Sequence, residues 1–283
     1  MSVAEPRTNA AAPKAASLTR WYAAIPFVSI VVIAVIGPRL APHSATNVVG
    51  APSTGPSSEF WFGTDTNGMD VFSRVLSATR LDVGVGLAVT VAATAIALAI
   101  GLLAGMNEHR RGVGGMMARA SARTVDMVQA IPAMVAGLVL LSFFGRTIPT
   151  LIVALTIILI PMQARLVRTE VLRVRSEAYI EAARMSGLHE VRILIRHVLP
   201  NSASSALENT SAIFGIAIIF CAGLGFLGVG VPPPTPEWGS MLASGATDAA
   251  VGRWWSAFFP ALALGITVAA AAGATKALFS HSD

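Results

Sequence analysis

From Val83 to Met106 the chain runs for 24 residues without one charged side chain, dense in Ala, Gly and Val. A helix of ~20 such residues crosses the ~30 Å hydrocarbon layer of a bilayer, whereas water offers so apolar a segment no exposed face. Five further apolar runs follow the same logic, at about 21–40, 125–144, 150–166, 205–229 and 257–278. Pro26 interrupts the first, Gly37-Pro38-Arg39 closes it, and Pro132 breaks the third. Only Gly145-Arg146-Thr147 and Pro149 separate the third and fourth, which implies an antiparallel hairpin of spans. Composition agrees, since 54% of residues are hydrophobic and 12% charged, against roughly 25% charged in soluble domains. The fold class expected is an all-α integral membrane protein of six transmembrane helices.

Charge distribution orders the chain. The formal charge is +5, but the basic residues sit between apolar runs and form no patch interleaved with aromatics, so no nucleic-acid partner is expected. Six spans put both termini on one side. Fifteen of the twenty Lys and Arg fall in the N-terminal tail, in the connections at 107–124 and 165–201 and, with Lys276, at the C-terminal end, which places those segments and both termini in the cytosol. The organisation expected is a cytosolic N-terminal tail at 1–20, with no cleavable signal peptide. A first span and an external loop with an amphipathic segment follow at 21–82, then a core of five spans at 83–278 and a C-terminal tail at 279–283. Small residues such as Gly84, Gly86, Ala93, Ala97 and Gly101 read as close helix packing. The single cysteine, Cys221, excludes an internal disulfide and a cysteine-based metal site, and reads as a small buried thiol.

The most charged stretch, 165–201, holds seven Arg, four Glu and two His. Within it, 176–187 reads as a short helix with Ser176 as N-cap, Glu177 at the positive helix end and Gly187 closing it in a left-handed conformation. Tyr179, Ala182, Ala183 and Ser186 share one face of mostly small side chains. Such a helix can lie on lipid headgroups or dock closely into a partner's groove; spacing alone leaves both open.

Glu181-Ala182-Ala183, Gly187 and Leu199-Pro200 resemble the EAA loop of ABC-importer permeases, whose pattern is E-A-A-x3-G-x9-I-x-L-P. His197 takes the isoleucine position, as it does in the peptide subfamily, where R-H-[IV]-L-P-N is usual. The resemblance extends to the C-type permease subunit of dipeptide, oligopeptide and nickel importers. Gly63-Thr64-Asp65-Thr66-Asn67-Gly68-Met69-Asp70-Val71-Phe72-Ser73-Arg74 is similar to that family's G-T-D-x-x-G-R-D-x-x-S-R, with Met69 for arginine. Asp126 with Ile131-Pro132, Ala164 to Arg168, Ala222 to Gly228 and Pro236 to Leu242 also match in order. Three departures are Cys221, where relatives commonly carry glutamate, Glu208, where they are usually apolar, and an atypical ending at Gly273 to Lys276.

The resemblance implies a type I importer permease fold in which the EAA helix is the coupling helix seated in an ATPase. The coupling residues would be Tyr179, Glu181, Ala182, Ala183, Gly187 and Pro200. Asp65, Gly68, Asp70 and Arg74 would serve docking of an external binding protein, or gating, and Glu208 is a pathway candidate because an ionisable group inside a span is costly. Implied partners are a related permease subunit, two ATPase subunits or one fused double ATPase, an extracellular or periplasmic substrate-binding protein, and the bilayer of a bacterial inner membrane. The substrate implied is a peptide or related small solute. No cofactor is expected in this chain, with ATP and Mg bound by the ATPase.

The residues also weigh against other chemistry. A phosphate-cradling G-x-x-x-x-G-K-[ST] loop needs a lysine that neither Lys14 nor Lys276 supplies. Asp65 to Asp70 fails as a calcium loop, since Asp70 and Leu76 stand where glycine and glutamate are required; it reads instead as a turn capping a helix near Asp70. His43, His109, His189, His197 and His281 lack ligand spacing, so no metal site is expected. No paired carboxylate, zinc pattern or Ser/His pair points to an intramembrane protease. A secondary transporter would show internal repeats, and none is evident.

Overall fold

A computed structural model describes residues 22–108 and 112–279, with side chains as far as Ala274. The expected N-terminal tail, Trp21, His109, Arg110, Arg111, the Lys276 side chain and residues 280–283 lie outside the described residues. Among those described, the chain is helical apart from connecting loops and one isolated antiparallel bridge, Thr64 with Asp70. The helices are α1 (Ile25–Leu40), α2 (Val71–Asn107), α3 (Val113–Gln129), α4 (Ala133–Phe144), α5 (Ile148–Arg175), α6 (Ala178–Met185) and α7 (Glu190–Ile193). A π-helical stretch, Leu194–Val198, leads from α7 into α8 (Leu199–Glu208), followed by α9 (Thr210–Phe226), α10 (Trp238–Ala249) and α11 (Trp255–Phe279).

Among the described residues three helices, α2, α5 and α11, are long and apolar enough to cross a membrane singly. Two bent pairs are long and apolar enough when taken together: α3 with α4, at 91°, and the segment Glu190–Glu208 with α9, at 43°. With 16 residues, α1 rises only ~24 Å, short of the ~30 Å layer. The six spans read from hydropathy are therefore not six straight rods. Pro132 explains the sharper bend, because proline drives the residue before it out of the helical region. The segment 113–124, expected as a basic connection, is already helical, with Arg119 and Arg123 exposed and Gly115 and Ala118 buried.

Helix α2 begins twelve residues before the apolar run at Val83, because Asp70 caps it: its Oδ2 accepts the Ser73 N–H at 3.0 Å. It packs closely along α5, and the two run in parallel. A Cβ on Gly101 would lie 2.6 Å from Val167 Cβ, and one on Gly105 2.7 Å from Val171 Cβ, so backbone meets side chain directly, as expected for small residues in lipid. Antiparallel to both, α9 places Phe214 and Ile218 against Gly86.

Three apolar clusters lie along this bundle. One, with Val71, Phe214 and Trp238, underlies the end that carries loop 41–70 and α10. A second around Leu155, Ile213 and Leu224 fills the middle. The third, with Val167, Val171, Ile180, Ile193, Val198 and Ala206, holds α6 to the opposite end.

Candidate functional site

At that opposite end α6 is fastened from one side and open on the other. Ile180 is fully buried in the third cluster, while Tyr179, Glu181, Ala182, Met185 and Ser186 are exposed and Ala183 is half-buried. Gly187 closes the helix as its composition suggests: φ is +79°, its N–H donates to the Arg184 carbonyl at 3.0 Å, and Leu188 N–H donates to Ala183 O at 3.2 Å. That pair of bonds is a Schellman cap. Ser176 is not the N-cap. Glu177 takes that position, and Ser176 ends α5, which runs on because Arg173 and Arg175 suit its negative C-terminal end. Arg175 also reaches across to the Gly105 and Met106 carbonyls at 2.6 and 2.8 Å.

Tyr179 and Pro200 are brought together through Asn201, whose amide donates to Tyr179 OH at 3.3 Å and His197 O at 2.7 Å. Arg184 pairs with Glu190 at 2.9 Å. Pro200 supplies no N–H to the ladder, and just before it the helix widens, Leu199 N–H bonding to Leu194 O. Five of the six expected coupling residues thus present side chain or backbone to solvent on one rim.

At the other end, residues 41–70 form a cap on α2 and α11. Asp65 Oδ1 accepts the N–H groups of Asn67 and Met69 at 2.8 and 3.0 Å. Gly68 has φ +76°, and a Cβ there would strike the Gly50 carbonyl. Asp70 caps α2 and has His43 Nδ1 at 3.4 Å. Arg74 lies with Nε 3.5 Å from Asp65 Oδ2, its Nη1 donating to Ala45 O at 3.0 Å and Pro234 O at 3.5 Å. Trp255 Nε1 donates to Thr64 O at 3.1 Å, and Phe62 stacks on Phe259 at 3.7 Å. All four residues expected to serve docking or gating are buried and shape the cap, and the outward tip is Thr66 and Asn67.

Between cap and bundle lies a cluster the sequence reading did not single out. Asp82, Cys221 and Glu237 are buried and place candidate ligand atoms within 4.8 Å of one another. Their oxygens are already engaged. Asp82 Oδ2 accepts the Trp238 N–H at 3.0 Å and Oδ1 faces the Cys221 thiol at 3.6 Å; Glu237 accepts from Gly239 and Ser240 N–H at 2.6 and 2.8 Å. The group ties α2, α9 and the start of α10 together. Gly225 and Gly239 make room for it, since a Cβ on either would fall on Glu237 Oε2 or the Ala222 carbonyl.

Burial pushes the Glu237 carboxyl up from 4.5 to about 7, against the lowering effect of its two N–H donors. An acid raised on folding holds its proton more tightly in the folded state, so its stabilising contribution is complete below 4.5 and lost as pH rises through about 7. The thermal midpoint of the purified protein should fall across that interval, and the slope should flatten in Glu237→Gln. A wild-type midpoint that does not move over the interval contradicts this assignment.

An open groove of about 850 Å³ runs between α4, α5 and α9. Its wall is apolar, with Pro132, Val135, Val139, Ile158 and Phe220 among the lining side chains. Glu208, the expected pathway candidate, does not line it; it stands exposed at the end of α8.

Comparison with known proteins bears on both ends. Residues 67–281 match the family model described as binding-protein-dependent transport system inner membrane component. The chain is 37% identical over 243 residues to the glutathione transport system permease protein GsiD of Pectobacterium atrosepticum, covering 85% of this chain and 78% of that protein. It is 33% identical over 245 residues to the dipeptide transport system permease protein DppC of Alkalihalophilus pseudofirmus, covering 85% and 77%. In fold it is similar to a chain of the inward-facing MetNI methionine ABC transporter, with a TM-score of 0.62 at 17% identity, over 73% of this chain and 94% of that one.

Proposed function

The chain belongs to the family of binding-protein-dependent transport system inner membrane components, and from that premise we propose that it forms half of an ATP-driven import pathway for peptides. It is a multi-pass permease subunit and not an enzyme. Its partner across the pathway is a related permease subunit. Two ATPase subunits, or one fused double ATPase, bind ATP and Mg and seat α6, and an external binding protein delivers solute at the cap. Both termini lie in the bacterial cytosol.

The observation that carries this reading is the exposed rim of α6. Tyr179, Glu181, Ala182 and Gly187 stand outward, while Ile180 anchors the helix in a cluster shared with α5, α7 and α8. A partner that moves α6 therefore moves packed helices. Cores resist continuous deformation, so the motion reaches the bundle as a rigid displacement. The groove wall of α4, α5 and α9 carries no charged side chain, which suits solutes bound through backbone and apolar groups and selected upstream by the binding protein. Peptides lead because the relatives named above are glutathione and dipeptide transport permeases.

The substrate reading is tested by uptake in cells carrying this permease with its ATPase and binding protein. Labelled di- and tripeptides should enter and compete with one another. Uptake of another solute class that excess peptide leaves unchanged, with no entry of peptide, contradicts it.

A further inference from the structure

The segment Glu190–Glu208 meets α9 at 43°, and the residues at that junction, Glu208, Asn209 and Thr210, include neither proline nor glycine. Sharp bends in helices come from proline, from glycine or serine pairs, from π-bulges, or from a side chain inserted into the hydrogen-bond ladder. The segment before the junction carries a π-helical stretch and Pro200; at the junction itself the cause is the last. In an unbroken helix the Ala206 and Leu207 carbonyls would pair with the N–H groups of residues 210 and 211. Instead Gln163 Nε2, from α5, donates to Ala206 O at 2.8 Å, and Thr210 Oγ1 donates to Leu207 O at 2.6 Å. Asn209 Nδ2 closes the arrangement by donating to Gln163 Oε1 at 2.7 Å. Gln163 is fully buried, and Pro161, two residues earlier, leaves α5 itself short of one ladder donor at this level.

The break lies between two differently attached segments. Below it, Val198 and Ala206 belong to the cluster that holds Ile180 of α6. Above it, Ile216, Ile219 and Phe220 of α9 line the groove, and Cys221 meets Asp82 beneath the cap. We infer that the Gln163–Asn209 amide pair is a pivot, a positioning device that pins the break to α5 so that displacement of the α6 end re-aims the groove-lining face of α9. This rests on the coupling reading of α6. Two directional amide bonds suit a pivot, because they fix a point while letting the apolar helices on either side swing.

The test uses the assembled complex of permease, ATPase and binding protein in proteoliposomes, with solute transported per ATP hydrolysed as the readout. Gln163→Met keeps the volume and removes both bonds, and Asn209→Ala removes one from a half-buried position. Each should lower solute per ATP about tenfold, within the range usual for a coupling free energy between sites, with KM for the loaded binding protein unchanged. The double variant should be no worse than Gln163→Met alone. Wild-type solute per ATP in either variant overturns the pivot, as does a double variant whose losses multiply. If Gln163→Met does not assemble, Asn209→Ala alone decides between the same two outcomes. Wild-type transport that consumes no ATP overturns the coupling reading itself and is seen before any variant is made.

Discussion

In Gly187→Asp, substrate-dependent ATP turnover and uptake should fall at least about thirtyfold, the effect of ~2 kcal/mol at a docking hot spot, while the permease still inserts and assembles. The local geometry makes this variant informative. Gly187 is exposed with φ +79°, and a Cβ added there meets nothing within 4 Å in this chain. Asp is one of the few side chains other than Gly found in the left-handed region, so it keeps the Schellman cap at a smaller strain than a bulkier residue would. What changes is the surface offered to a partner, which gains bulk and a negative charge. ATP-coupled uptake within about twofold of wild type, too small to signify a lost hot spot, would remove α6 from the coupling role.

Arg74→Ala should cost about 3–5 kcal/mol, the usual effect of leaving one member of a buried ion pair without its partner. Arg74 and Asp65 are both buried, and Arg74 also serves the Ala45 and Pro234 carbonyls and the Met69 sulfur. Those contacts hold loop 41–70 against α2 and against the turn that precedes α10, so the loss falls on the cap. Thermal unfolding of the purified protein measures it. The double variant Asp65→Ala/Arg74→Ala should lose less than the sum of the single ones, since neither charge is then stranded. Additive losses, or a near-native midpoint for Arg74→Ala, contradict the pairing.

Much of this architecture is legible in the sequence because lipid imposes simple rules. Uncharged runs near 20 residues, the Asp70 cap and the left-handed Gly187 follow from local chemistry; the structure bears out the cap and Gly187, and gives three of the runs as single long helices, two as bent pairs and one as the short α1. What local chemistry could not supply is anything set by distant partners. Asp82 sits one residue before an apolar run, and Glu237 lies in what reads as a polar loop. Only the fold brings them together, across more than 150 positions, with Cys221 between. The helix α10 was hidden for the same reason, its N-cap being Glu237 itself. Gln163 reads as one polar residue near the end of a span, and its meaning depends on a break 46 positions away. Asp65, Gly68, Asp70 and Arg74 were recognisable as a motif, but a motif does not tell whether its side chains face a partner or the interior.

The central claim is that this chain forms a pathway whose energy comes from ATP hydrolysed on other subunits. Uptake of labelled peptide into proteoliposomes holding this permease, its partner permease and the ATPase, with loaded binding protein outside, tests that most directly. The account predicts accumulation that requires ATP and Mg inside, stops without binding protein, and is unaffected by ionophores that collapse ion gradients. Accumulation that an ion gradient drives in the absence of ATP would contradict it.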